Sequence, residues 1–421
     1  MSKLKDYWDR WWFCYRLHGF SYTVRKTFRR FGERRLRKQA ERRGETYDGS
    51  TRITPQQRAL YESLALTGDK LNVGFRLHGG LGDYVVLANY VHAFRCRYDD
   101  EIMRLDIFAS NSFNSAKTVL YDGFVIDHLY NEQDLEETDC VPLYDLFVDL
   151  SRYPGILKRN DEKIAALMPE LFEFIFLCER FRAENRRFFT HAGIADGQSA
   201  ALSIIGGKKR INQPDIYGFF GLTETYRYPL PVMEDAADYL RDIGLSDRPY
   251  ITINRGVDTN YTKSSVKLWP LAYYNALTRS LKRQYPDILL VQLGASYDRC
   301  PPLENIDVDL VGKTNLEQIK PILRHALVHI DGEGGMVHLR HALGGGRSVV
   351  LFGPTSPEFF GYSENQNLVG GGCDVWCEWA LNKWQEGCLR GSYETPPCMA
   401  SITPEMVMDA ADRIIREEVR A

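Results

Sequence analysis

The sequence predicts an α/β chain of two doubly wound domains facing a central crevice, preceded by a basic helical arm. Three observations carry this. The chain has 421 residues, more than one core usually supports, since single cores seldom grow past about 250–300 residues. Strand-like and helix-like segments alternate in two separate series, as in parallel sheets covered by helices on both faces. In each series a glycine-rich turn joins a strand to a helix, at Gly79–Gly82 and again at Gly332–Gly335.

The arm is assigned to residues 1–60. Residues 1–44 carry fourteen Lys or Arg against four acids, so the remainder is acidic by thirteen although the whole chain is only −3. Trp8, Trp11, Trp12, Phe13, Tyr15, Phe20, Phe28 and Phe31 are interleaved with these cations. Cations among large aromatics suit the surface of an anionic membrane; an arm that packs on its own protein is the competing reading. Nothing further along the chain supports nucleic-acid binding. No apolar stretch approaches the ~20 residues that span a bilayer. Trp8, Asp9, Arg10 and Arg16 interrupt any secretory apolar core. The expected location is the cytoplasm, with the inner-membrane surface as a docking place. There, cysteines stay reduced or bind metal.

The first α/β domain is assigned to 61–240. Its expected strands are Asn72–Leu77, Leu105–Ala109, Phe124–Asp127 and Leu146–Leu150, with a helix from the glycine turn to about Tyr98. Residues 161–190 read as helical, because Leu167, Leu171, Phe174, Ile175 and Cys178 recur at helical spacing. The second domain is assigned to 241–400. It runs strand Tyr250–Asn254, helix Trp269–Tyr285 opened by Pro270, strand Ile288–Leu293, helix Leu316–Ala326, strand Leu327–Ile330, helix Gly335–Leu343 and strand Ser348–Phe352. Residues 401–421 form a closing helix begun by Thr403-Pro404-Glu405. Ligands of such sheets lie beyond the carboxyl ends of the strands.

Chemistry concentrates at three places. His78-Gly79-Gly80-Leu81-Gly82-Asp83 lies between the first strand and its helix. Val85 stands where a dinucleotide fingerprint requires its third glycine, which argues against NAD. Asp83 either caps the helix or takes a proton from an attacking hydroxyl. Asp331-Gly332-Glu333-Gly334-Gly335-Met336-Val337-His338 opens a second helix, whose free N–H groups and positive dipole end suit a pyrophosphate. His338, in its first turn, can donate to a phosphate oxygen. Thr262-Lys263-Ser264-Ser265-Val266-Lys267-Leu268-Trp269-Pro270 places Lys267 where it can offset charge on a departing nucleotide.

Together these motifs resemble glycosyltransferase family 9, the bacterial lipopolysaccharide heptosyltransferases. The resemblance runs from about Val73 to the C-terminus. It is strongest in Lys267-Leu268-Trp269-Pro270, Glu333–Leu343 and Leu351-Phe352-Gly353-Pro354-Thr355, with Gly82-Asp83 ahead of them. It implies a GT-B fold of two Rossmann-like domains, an ADP-sugar donor with ADP-heptose foremost, inversion at the anomeric carbon, and no metal or other cofactor in the chemistry. The resemblance makes Asp83 the general base and Lys267 a phosphate-holding residue. Gly80, Gly82, Glu333, Gly334, Gly335, Met336 and His338 line the donor. Two departures stand out: Glu333-Gly334 replaces the family's Asp-Ser/Thr, and Ser296 occupies the place of a ribose-contacting acid, with Asp298 as its substitute.

Cys373, Cys377, Cys388 and Cys398 fall within 26 residues at C-x3-C-x10-C-x9-C, a spacing open to a structural Zn or Fe site. The heptosyltransferases that modify autotransporter adhesins are similar in having a C-terminal four-cysteine iron site. Arg152, Lys158, Arg159 and Lys208-Lys209-Arg210 are candidates to meet an anionic acceptor glycan or glycolipid. The leading expectation is transfer of a sugar onto lipopolysaccharide or another surface glycan. A protein-directed heptosyltransferase, a nucleotide-sugar epimerase and a non-catalytic glycan-binding protein are the alternatives.

Overall fold

The structure, a computed structural model, describes residues 64, 66–98, 101–110, 112–131, 140–150, 154–184, 220–222, 228–255, 266–296, 300–374, 376–377 and 387–420. The chain divides into a unit Met1–Ala65 and a unit Leu66–Ala421, and every element below belongs to the second. The basic aromatic arm, Arg152, Lys208–Arg210, Thr262–Ser265 and Asp298 lie outside the described residues.

The first half comprises β1 (Leu71–His78), α1 (Leu81–Arg97), β2 (Met103–Ser110), α2 (Phe113–Val119), β3 (His128–Asn131), β4 (Leu146–Asp149), β5 (Gly155–Arg159), α3 (Asp161–Leu167) and α4 (Leu171–Glu184). The strands lie in the order β3-β2-β1-β4-β5. All neighbours are parallel except β4 and β5. Leu71, Val73, Phe75 and Leu77 of β1 are fully buried and so is most of the strand between them, as a strand covered on both faces requires. α1 is apolar nearly all round because it is covered on more than one side. Tyr84, Val85, Leu87, Ala88, Tyr90, Val91, Ala93 and Phe94 are all buried.

Three expectations for this half change. Phe124–Asp127 is a turn: Gly123 adopts φ +73°, Phe124 is exposed, and the only ladder contact is a bridge from Asp122 to Ile126. Pairing with β2 starts later, at His128 opposite Asp106. The helical stretch from 161 breaks into α3 and α4 at Met168-Pro169, since a residue ahead of proline is disfavoured in the α region and Met168 takes φ −152°. β5 was not foreseen; it is an edge strand with half-exposed and exposed side chains. It carries Lys158 and Arg159, and Arg159 is already paired with Asp161 and Glu179 at 3.0 Å each.

The second half follows α5 (Ala236–Asp242). It comprises β6 (Tyr250–Asn254), α6 (Leu271–Gln284), β7 (Leu289–Leu293), β8 (Val308–Asp309), α7 (Leu316–His325), β9 (Val328–Gly332), α8 (Gly335–Ala342), β10 (Ser348–Phe352), α9 (Pro357–Phe360), β11 (Gln366–Val369), α10 (Pro397–Ala400) and α11 (Pro404–Arg420). Its sheet is parallel throughout, in the order β11-β10-β9-β6-β7-β8. β6, β7 and β10 are buried at every position, which short apolar runs announced. α7 begins with a capping box: Asn315 accepts the Gln318 N–H at 2.9 Å and Gln318 accepts the Asn315 N–H at 3.0 Å. α11 presses Val407, Ala410, Ala411, Ile414 and Ile415 into the core of this half. Trp269 is sealed in the same core, its indole N–H donating to the Ile402 carbonyl at 2.7 Å.

Each sheet therefore has one place where the chain turns from building in one direction to building in the other. In the first it lies between β1 and β4, and in the second between β6 and β9. Helices α1 and α8 each begin just past one of these strands, β1 and β9. Among the described residues, no helix is long and apolar enough to cross a membrane.

Candidate active site

The two glycine-rich helix starts meet. Gly79 adopts φ +145°, a region that favours glycine, and turns the chain so that the Asp83 carboxylate accepts the Gly80 N–H at 3.0 Å. A Cβ on Gly79 would fall 2.3 Å from Asp83 Cβ. Gly82 lies against the other half: a Cβ there would stand 2.6 Å from His338 Cδ2 and 3.4 Å from Gly335 Cα. On the opposite side, a Cβ on Gly335 would come 2.9 Å from Leu81 Cβ. α1 and α8 thus abut at their N-termini. Their unsatisfied N–H groups and positive dipole ends converge on one spot, an arrangement suited to a multiply charged anion.

Charged side chains surround that spot. Lys267 pairs with Glu333 and also approaches the Glu333 carbonyl at 3.4 Å. Burial alone would raise the Glu333 carboxyl, but Lys267, His338 and Thr355 hold it below the ordinary range, so it is an anion. His338 is buried. Burial pushes its imidazole down, against the opposing pull of Glu333 and Asp83. Its Nδ1 is 2.7 Å from the Tyr362 hydroxyl, and Nε2 is 4.0 Å from Glu333 Oε1. Tyr362 is itself fixed by stacking on His341, ring centres 3.6 Å apart, and His341 pairs with Glu364.

Beneath α8, the ends of β6 and β9 are joined by polar contacts. Asn254 donates to both oxygens of Asp331 at 3.0 Å. His329 Nε2 stands 3.4 Å from Asp331, and His329 Nδ1 lies 2.9 Å from the Thr252 hydroxyl. This buried chain fixes the strand ends from which Gly332–Gly335 depart. The corresponding strand ends of the first half carry His78 and Asp149, with Nε2 3.4 Å from Oδ1.

The structure brings together Asp83, Gly80, Gly82, Glu333, Gly335 and His338, with Lys267 held on Glu333. Gly334 accepts at the head of α8, where its carbonyl receives the Val337 N–H at 3.2 Å. Met336 packs on the apolar core cluster that the two halves share. Sequence reasoning missed Tyr362, Asn254 and Asp149. None belongs to a motif, and only the fold places them beside residues that do.

The four cysteines lie near one another, since Cys373, Cys377 and Cys388 all act on the Cys398 thiol. Cys398 and Cys373 join the apolar core under α11, and Cys377 packs on Val266, next to Lys267. Burial raises the Cys377 thiol, and it raises Cys398 to about 11, with the other three cysteines adding to the effect on Cys398. Among the described residues, no group of three or more His, Cys, Asp or Glu is arranged to hold a metal ion.

Residues 223–386 match the model of glycosyltransferase family 9 (heptosyltransferase). Lipooligosaccharide heptosyltransferase 2 of Haemophilus influenzae is 24% identical over 180 residues, which are 41% of this chain and 49% of that relative. The chain thus spans about half the length of the curated relative it matches. The E. coli ADP-heptose LPS heptosyltransferase II superposes with TM-score 0.50 at 14% identity, covering 83% of this chain and 99% of the other. A family 9 glycosyl transferase from Veillonella parvula gives TM-score 0.54 at 14% identity, with 84% and 99% covered. TibC, the iron-containing dodecameric glycosyltransferase of enterotoxigenic E. coli, gives 0.52 at 13% identity, with 84% and 80% covered. TibC has also been solved in complex with ADP-D-beta-D-heptose. The fold is therefore the GT-B fold of these solved structures.

The glycine contact makes a direct prediction. Gly82→Ala should force α1 and α8 apart, because the new Cβ meets both a ring atom of His338 and the backbone of Gly335. Overpacking of this kind costs about 1–3 kcal/mol. A lower Tm in thermal melts is the expected result.

Proposed function

We propose that the chain is an inverting glycosyltransferase that moves a heptose from ADP-heptose to a hydroxyl of a bacterial lipopolysaccharide or other surface glycan. The observation that carries this reading is the meeting of the two helix N-termini, with Lys267, Glu333, His338 and Asp83 around them, the first three inside the segment that matches family 9. The donor diphosphate sits on the N-terminus of α8, and Lys267 shares itself between Glu333 and a phosphate oxygen. The acceptor hydroxyl gives its proton to Asp83. Its oxygen bonds to the anomeric carbon from the face opposite the leaving group, and the bond from that carbon to the diphosphate breaks. The charge that develops on departing ADP is stabilised by Lys267, His338 and the helix ends. These groups perform the electrostatic work that a divalent ion does elsewhere, so the reading routes no step through a metal. The reaction takes place at the cytoplasmic face of the membrane, where a glycolipid acceptor is presented and the basic aromatic arm docks.

A panel of ADP-, UDP-, GDP- and dTDP-sugars, each incubated with the protein and core oligosaccharide, tests this by mass spectrometry of the glycan. A heptose added from ADP-heptose is the expected product. Sugar addition from another nucleotide alone would move the assignment to that donor, and ADP release without a glycan adduct would remove transfer from the reading.

A further inference from the structure

A second polar pair lies at the turning point of the first sheet and is used by nothing above. β1 and β4 are neighbours, and the chain builds outward from them in opposite directions, so their carboxyl ends flank the crevice where ligands of doubly wound sheets bind. The last residue of β1 is His78 and the last of β4 is Asp149. Their side chains retain 36% and 28% exposure, which sets them apart from the polar core residues of the same sheet. Asp149 Oδ1 is buried and makes no hydrogen bond among the described residues, although His78 Nε2 stands 3.4 Å away. The exposure of Asp149 therefore falls on its other atoms. Gly79 and Gly80 follow His78 directly, and Asp83 is five residues on, across the tight turn that Gly79 makes.

Resting on the transferase reading above, we propose that His78 and Asp149 bind the acceptor through adjacent uncharged sugar hydroxyls, next to Asp83. The chemistry selects a polyol over a phosphate. Burial would raise the Asp149 carboxyl, but His78, Arg76 and Arg182 together keep it below the usual carboxylate range. An ionised carboxylate accepts from a hydroxyl, whereas a fully ionised phosphate has no proton to donate to it. Arg182 acts on the same carboxylate while its Nε donates to the Pro154 carbonyl at 3.0 Å. The imidazole supplies a second polar contact, so the pair matches two neighbouring hydroxyls, one donating to the carboxylate and one held by the ring.

The test is ligand-observed NMR with the full chain saturated with ADP, using core oligosaccharide as the probe, both as isolated and after phosphatase treatment. The wild type should show contact to sugar ring protons with either probe. His78→Ala and Asp149→Asn should each weaken that contact at least tenfold, equally for both probes, while ADP contacts persist. Should either variant lose its fold by circular dichroism, His78→Gln serves in its place. Unchanged oligosaccharide contact in the variants overturns the subsite, as does no contact in the wild type with ADP bound. A loss confined to the phosphorylated probe overturns the polyol assignment in favour of an anion site. Failure of the wild type to bind ADP at all instead strikes the donor reading on which this inference rests.

Discussion

Replacing Lys267 with alanine should abolish transfer and also destabilise the protein, and the two effects can be separated. Glu333 is 9% exposed and depends on Lys267 to remain ionised. Removing one partner of a buried pair leaves the other uncompensated, at a cost of about 3–5 kcal/mol. Lys267 is itself 26% exposed, so the low end, about 3 kcal/mol, is expected. The loss of positive charge beside the departing diphosphate should lower kcat by about 10²–10³-fold. In the double variant Lys267→Ala/Glu333→Gln no buried carboxylate is left unpaired, so Tm should return most of the way while transfer stays lost. Recovery of transfer in that double variant would refute the role given to Lys267. The pH dependence follows from the same pair. A carboxyl lowered by folding contributes stability that is present above its unfolded value, near 4.5, and is lost as pH falls through the folded value. The wild type should therefore lose this contribution progressively as pH falls below about 4.5, and Lys267→Ala, without the charge that lowers the carboxyl, should show a weaker loss over that range. Thermal melts of both proteins across the acid range check the sign.

The dependence of that argument on Glu333 shows where the sequence is informative. Runs such as Tyr250–Asn254 and Ser348–Phe352 declare their burial locally, because a strand covered on both faces is apolar at consecutive positions. The edge strand β5 carries no such run and went unseen, and Phe124–Asp127 resembled a strand until Gly123 turned the chain. The glycine turns were legible as phosphate cradles one at a time. That Gly82 and Gly335 touch was not, because their contact joins residues about 250 positions apart and leaves no periodic trace. Tyr362 lies in the same blind spot. It fixes His338 through Nδ1 from a loop with no motif, and only the stacked His341 ring explains why it stands there. The cysteines show a further side of this: besides their spacing, Cys373, Cys377 and Cys398 also pack, against Val266 and the core under α11, which no spacing reveals.

Asp83→Asn is the substitution that bears most directly on the chemistry. The amide oxygen of asparagine can still accept the Gly80 N–H, so the turn at Gly79 and the approach of α1 to α8 should survive, with Tm close to wild type. ADP affinity should also hold, since Lys267 and the start of α8 are untouched. What the variant lacks is a group able to take the acceptor proton, and general-base catalysis is worth about 10²–10⁴-fold. A fall of that size in kcat with unchanged donor Kd is the expected result. It also separates two roles that the structure superimposes on one carboxylate. If Asp83 served only to cap the first turn of α1, asparagine would substitute for it with little loss of rate, whereas Asp83→Ala would cost about 1 kcal/mol of stability. A base predicts the opposite ranking: both variants equally slow, and only alanine unstable. The same ranking distinguishes Asp83 from His338, its buried neighbour across the glycine contact. Loss of the Asp83 charge removes one of the two pulls that favour protonated His338, so an imidazole that acted as a cation would be weakened as well. Donor affinity measured across the neutral pH range detects that change, and a flat profile in Asp83→Asn would confine the defect to proton transfer.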